Sequence, residues 1–245
     1  MANSHFQFKQ FIIYQDRCAM KVTTDACLFG AWTAEEVKRQ EVTRQTSDVR
    51  RVLDIGTGTG LLSLMLAQKT NALIDAIEID HDTFVQANEN VSDSPWKDRV
   101  KVYRADASQF EFASKYDIII SNPPFYENEL KSADAKKNLA HHDGLSLQQL
   151  LKLIRENLSP HGSFFLLLPY KRSEEAEKLI DDSGLSILQK ISVRQSLNHD
   201  LFRTMIQGGH ESDKEKITAE ISIWDEQQQY TPMFIELLRD YYLYL

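Results

Sequence analysis

The chain has 245 residues, 42% hydrophobic and 26% charged, the proportions of an ordinary globular protein with enough apolar material for one large α/β core. Its formal charge of −8, from 28 basic and 36 acidic residues, excludes a protein held on nucleic acid by overall charge, though not one with a local basic patch. No apolar run approaches the ~20 residues that a membrane-spanning helix needs, so no membrane partner is expected.

The opening MANSHFQFKQF lacks the basic and apolar regions of a secretory signal. Cys18 and Cys27 have no ligand-like spacing to other Cys or His and read as two buried, reduced thiols of a cytoplasmic protein. Residues 1–32 read as an N-terminal unit, and 33–50, TAEEVKRQEVTRQTSDVR, as a polar linker or solvated helix. From residue 51 short apolar runs alternate with amphipathic segments: RVLDIG, LLSLMLAQKT, ALIDAIEID, HDTFVQANENVSDS, RVKVYRAD, YDIIIS, SLQQLLKLIRENLS, GSFFLLLP, RSEEAEKLIDDSG. Strands covered on both faces and separated by helices predict a doubly wound, mostly parallel sheet. After residue 184, LSILQKISVR and KITAEISIWD read as a closing antiparallel pair, and the stretch from Tyr230 as a short amphipathic helix on the sheet. The expectation is therefore an α/β fold with a seven-stranded sheet, spanning 51–245.

The first of these strands ends in LDIGTGTG, with Asp54, Gly56, Gly58 and Gly60 ahead of a helix. Glycines let the backbone turn sharply and approach a ligand closely. A nicotinamide-cofactor loop, G-x-G-x-x-G, would put its third glycine at Leu61, whereas here Gly60 comes one residue early and an acid precedes the first glycine. The D-x-G-x-G-x-G form resembles motif I of the S-adenosylmethionine-dependent methyltransferases, which implies S-adenosyl-L-methionine as cofactor and a Rossmann-like methyltransferase fold. Under that resemblance Glu78, closing the second strand, is placed to accept the ribose hydroxyls, with Asp80 as a rival. Asp106, after the third, is placed to accept from the adenine amine, although it also suits a helix N-cap.

The strand DIII-Ser121 runs into Asn122-Pro123-Pro124-Phe125. Prolines stop strands, but the four residues together build a rigid ledge of acceptors beside a flat apolar ring. An exocyclic purine amine is a poor nucleophile because its lone pair is delocalised into the ring. The Asn122 side-chain carbonyl and the Pro123 backbone carbonyl, held by Pro124, can grip its two N–H bonds and stabilise positive charge as it develops on nitrogen. Phe125, or Tyr126 after it, can lie against the base. The tetrad resembles motif IV of the amino-group methyltransferases.

Over nearly the whole chain, and most strongly across FQFKQFIIYQDRCAMKVTTDACLFGAW and residues 51–126, the sequence resembles the bacterial tRNA1(Val) adenine-37 N6-methyltransferase family. The resemblance implies methylation of an unpaired adenosine in the tRNA anticodon loop, where extruding the base costs less than from a duplex. It also implies that KVTTDA closes over the cofactor, with Lys21, Thr24 and Asp25 as its candidates; Thr24 and Asp25 would equally make a helix N-cap. Candidate RNA contacts are Lys9, Arg17 and Lys21, then Lys131, Lys136, Lys137, His141 and His142, with Arg194, His199 and Arg203 as a second patch. No third ligand accompanies the two histidines, so no metal is assigned. Asn-Pro-Pro-Phe also occurs in guanine-N2 rRNA methylases, which keeps that substrate as an alternative, as is a protein-glutamine methylase.

Overall fold

A computed structural model describes residues 3–43, 50–124, 145–210 and 215–245. Two short strands, β1 (His5–Gln7) and β2 (Ile12–Tyr14), pair antiparallel in a small sheet of their own. The helix α1 (Thr24–Thr43) follows, then β3 (Arg51–Ile55), α2 (Leu61–Lys69), β4 (Leu73–Glu78), α3 (His81–Ser92), β5 (Val100–Arg104) and β6 (Tyr116–Ser121). The second half comprises α4 (Leu147–Asn157), β7 (Leu158–Pro169), α5 (Ser173–Asp182), β8 (Leu185–Ser196), β9 (Leu201–His210), β10 (Ile217–Trp224) and α6 (Pro232–Leu238).

The large sheet has eight strands in the order β10-β8-β9-β7-β6-β3-β4-β5, one more than the sequence predicts. Its strand β9 runs antiparallel to both neighbours, β7 and β8, whereas β10 runs parallel to β8 at the outer edge. The segment LFRTMIQGGH is thus a central strand, and the two segments expected to pair antiparallel lie parallel instead.

Side-chain alternation along the strands builds two apolar layers. Val52, Ile74, Ile118, Ile120 and Phe165 face one layer with α1, α2 and α6, while Leu53, Ile77, Ile119, Phe164 and Leu166 face the other with α4 and α5. Phe164 and Phe165 are both fully buried, so each neighbouring residue of β7 fills a different layer. Ile13 of β2, with Phe8 and Phe11 from the connection between β1 and β2, belongs to the first layer, so the N-terminal unit and the sheet share one core.

The stretch 33–50 is helical as far as Thr43, but its helix is not simply solvated. Thr33, Ala34 and Val37 are buried at helical spacing, Glu35 binds the ammonium of Lys69, and Glu36 accepts from Gln189 of β8. Within α1, Gly30 permits close approach to α2: a Cβ there would come within 2.6 Å of Met65 Sδ.

The chain proceeds outward from β3 through β4 to β5, then returns to β6 on the other side of β3. This reversal opens a crevice at the carboxyl ends of β3 and β6, the place where doubly wound sheets bind ligands.

Candidate active site

The glycine loop leaves β3 at that crevice. Gly56, Gly58 and Gly60 have φ of +70°, +57° and +83°, a left-handed region costly to residues with a Cβ. A Cβ at Gly56 or Gly58 would meet nothing within 4 Å, so conformation and an open face, not crowding, call for glycine there. The loop is fixed at its start by Gly56 N–H and Thr57 N–H, which donate to Ile77 O in β4 at 2.9 and 3.0 Å.

Asp54 lies beneath it, fully buried. Its Oδ2 accepts from the hydroxyls of Thr57 and Ser63, both at 2.7 Å, tying the loop to α2. Its Oδ1 is buried with no hydrogen-bond partner among the described residues. Burial pushes the carboxyl up to about 6, against the opposing pull of the two hydroxyls. A buried carboxylate oxygen without a donor is costly, and a bound cationic or N–H donor would relieve that cost directly or through a water.

Glu78, at the carboxyl end of β4, accepts from Gly58 N–H at Oε2 and from Asp80 N–H at Oε1, both at 3.0 Å. Two backbone donors aim the carboxylate and leave each oxygen a further lone pair for hydroxyl donors. Its rival Asp80 instead caps α3, accepting from Thr83 N–H at 2.9 Å, and that bond holds its carboxyl below the usual range. Asp106 heads a turn and not a helix, so it is no helix N-cap: it accepts from Ser108 N–H and Oγ and from Gln109 Nε2 within that turn.

At the end of β6 the buried Ser121 donates its hydroxyl to Ile55 O at 2.7 Å. This bond joins the last residues of β3 and β6 and brings Asn122, Pro123 and Pro124 alongside the glycine loop. Asn122 and Pro123 are half-buried and Pro124 is exposed. Phe125, Tyr126, Lys131, Lys136, Lys137, His141 and His142 lie outside the described residues.

The segment before α1 passes beside Glu78, because the buried Cys18 thiol interacts with Thr83 and feels the charges of Glu78 and Asp80. Lys21 directs its ammonium to the carbonyls of Gln15 and, at 3.0 Å, Cys18, so it closes its own loop. Thr23 rather than Thr24 caps α1, accepting from Ala26 N–H at 3.4 Å. Asp25 is ion-paired with Arg203 at 2.8 Å, at the carboxyl edge of β7, where Arg203 stands opposite Pro169. Arg17 pairs with Glu89 at 3.0 Å, both about half exposed. Arg194 pairs with Glu220, so both arginines of the second basic patch are held in ion pairs, while His199 contacts the Ser196 hydroxyl.

Sequence reasoning missed Thr57, Ser63 and Ser121, whose hydroxyls lock the loop to its surroundings, and the buried amides Gln15 and Asn90. Thr57 and Ser63 carried a signal: hydroxyls three and nine residues after a buried acid. The amides carried none, since polar residues in loops and helices are usually solvated.

A family model described as "methyltransferase small domain" matches residues 35–171. A tRNA1(Val) (adenine(37)-N6)-methyltransferase of Dyadobacter fermentans is 39% identical over 98% of both chains, and one of Parabacteroides distasonis 38% identical over 99% of both. The chain belongs to the tRNA1(Val) (adenine(37)-N6)-methyltransferase family. A relative of the same name from Photorhabdus laumondii is 36% identical over 98% of this chain and 95% of its own. Among solved structures, a predicted O-methyltransferase of Agrobacterium tumefaciens superposes with a TM-score of 0.64 at 13% identity, covering 87% of this chain and 95% of that one. The glycopeptide N-methyltransferase MtfA complexed with S-adenosyl-L-methionine gives 0.52 at 14% identity, over 74% and 94%. At such identities these two establish the methyltransferase fold alone. Within the family, the open glycine loop, the aimed Glu78 and the donorless oxygen of Asp54 suit S-adenosyl-L-methionine, which carries an ammonium, a ribose diol and a methyl sulfonium.

Proposed function

We infer that the chain transfers a methyl group from S-adenosyl-L-methionine to the exocyclic N6 amine of adenosine 37 in the anticodon loop of tRNA1(Val). The observation that carries this is the Ser121–Ile55 bond, which sets the Asn122-Pro123-Pro124 ledge against the glycine loop on adjacent strands. When bound, the cofactor supplies an electrophilic methyl on a sulfonium that leaves without acid catalysis.

The protein's own contribution is to hold and orient. Glu78 would accept the ribose hydroxyls, Gly56 and Gly58 would allow the backbone close approach, and Asp54 would answer the ammonium. Asn122 Oδ1 and Pro123 O would accept the two N6 hydrogens and so favour a pyramidal, more nucleophilic amine. As positive charge grows on N6 these fixed dipoles stabilise it without reorganising, an effect worth ~3 kcal/mol for one such group. The base stacks on Phe125 or Tyr126. Both cysteines are buried and unpaired, as suits a protein working in the reducing cytoplasm.

The test is mass spectrometry of nucleosides from a tRNA1(Val) transcript incubated with protein and S-adenosyl-L-methionine. N6-methyladenosine should form, and vanish when adenosine 37 is replaced by guanosine. N2-methylguanosine on the altered transcript would move the protein to the guanine group, and methylation of glutamine in a protein substrate would overturn the RNA reading.

A further inference from the structure

Tyr14, the last residue of β2, has both backbone groups bound by one side chain. Asn90 Oδ1 accepts from Tyr14 N–H at 2.9 Å, and Asn90 Nδ2 donates to Tyr14 O at 2.8 Å. The second hydrogen on Nδ2 goes to Thr59 O in the glycine loop at 2.9 Å. Asn90 is 1% exposed, and burying an amide at this depth is tolerable only because its donors and its acceptor are all engaged. It sits one turn from Gln86, whose Oε1 accepts from Arg17 N–H at 3.4 Å, and beside Glu89, which pairs with Arg17. One stripe of α3 thus grips residues 14–17. The glycine loop rests on the same helix: a Cβ at Gly60 would lie 3.7 Å from Ala87 O and Val91 Cγ2.

Thr59 lies between two glycines held left-handed, and Glu78, which binds Gly58 N–H, ends β4 shortly before the Asp80 cap of α3. The carbonyl that Asn90 holds thus belongs to the same loop as Gly58, one residue from the N–H that Glu78 binds. We propose that Asn90 is a positioning residue that couples the N-terminal segment to the cofactor loop, so that cofactor occupancy and the order of residues 14–22 form one linked equilibrium. Whatever stiffens the loop holds Thr59 O in place for Nδ2, and the same amide then holds Tyr14. By reciprocity, loosening the segment weakens the cofactor. The proposal rests on the S-adenosyl-L-methionine reading above.

The test uses the full chain with S-adenosyl-L-homocysteine as probe. Asn90→Asp keeps the shape but sets a carboxylate against the carbonyl oxygens of Tyr14 and Thr59. Calorimetry should show affinity reduced by about tenfold or more. In the parent protein the ligand should slow hydrogen exchange of the Tyr14 amide by more than it slows amides of β10, and Asn90→Asp should lose that excess. A purely structural Asn90 would lower the unfolding temperature and leave the affinity and the excess untouched. Parent-like affinity in Asn90→Asp overturns the coupling. So does a parent protein in which bound ligand leaves Tyr14 no better protected than β10, a result that stands even if the variant does not fold. Failure of the parent to bind the probe at all is a different outcome, which removes the cofactor reading and the coupling with it.

Discussion

Asp54 is a place where the fold works against its own stability, and Asp54→Asn measures by how much. Burial raises its carboxyl from 3.8 to about 6, so the folded state holds the charged form about two pH units less readily than the unfolded chain does. At ~1.4 kcal/mol per unit, that amounts to roughly 3 kcal/mol at neutral pH. The shift is upward, which fixes the sign. Stability from this group is complete below about pH 4, falls as pH rises through about 6, and is flat above that. Asparagine does not titrate, and the hydroxyls of Thr57 and Ser63 can rotate to suit an amide. Asp54→Asn should therefore be more stable than the parent near neutral pH by up to roughly 3 kcal/mol, raising Tm by about 6–12 °C, and the gap should close toward about pH 4. Thermal unfolding of both proteins across this range is the assay. Cofactor affinity should move the other way, since the charge that an ammonium would meet is gone. An asparagine variant less stable than the parent at neutral pH, or a gap that widens toward acid, would refute the reasoning.

Three further outcomes follow from the site. Asn122→Ala should lower turnover by about a hundredfold or more while leaving cofactor affinity intact; single-turnover rates equal to the parent would reduce Asn122 to a strand terminator. Gly58→Val places a β-branched residue at φ +57° on the open face of the loop and should abolish cofactor binding with the far-ultraviolet spectrum preserved; parent-like affinity by calorimetry would sink the loop assignment. Burial pushes the thiol of Cys18 up to about 11 and that of Cys27 up to about 12, so a disulfide reagent near pH 8 should label both only after denaturation, and rapid native labelling would contradict their burial.

The turns of the candidate site were written locally and could be read: three glycines after an acid, a carboxylate closing the next strand, and prolines at the end of a third. What escaped depends on distant partners. The strand β9 hides its alternation behind Arg203, Thr204 and Gln207, and Gly208 is there because Phe164 fills the space, a Cβ coming within 2.3 Å of its ring. The acids of α1 look solvated until Lys69 and Gln189 arrive from elsewhere in the chain. Lys21 and Asp25 fell in the expected segment, but the former bonds its own loop and the latter Arg203, contacts that no spacing within KVTTDA encodes.

Residues 15–23 run between two fixed points, Tyr14 bound to Asn90 and α1 wedged at Gly30 against Met65. They form a belt riveted at both ends, not an arm free at one. An arm swings aside by diffusion and is slowed by a viscous solvent. A belt drawn tight by Gln15, which binds Val22 N–H at 2.7 Å and Asn3 O at 2.9 Å, gives way only when those bonds break. Opening of the belt is then an activated event, steep in temperature and nearly indifferent to glycerol.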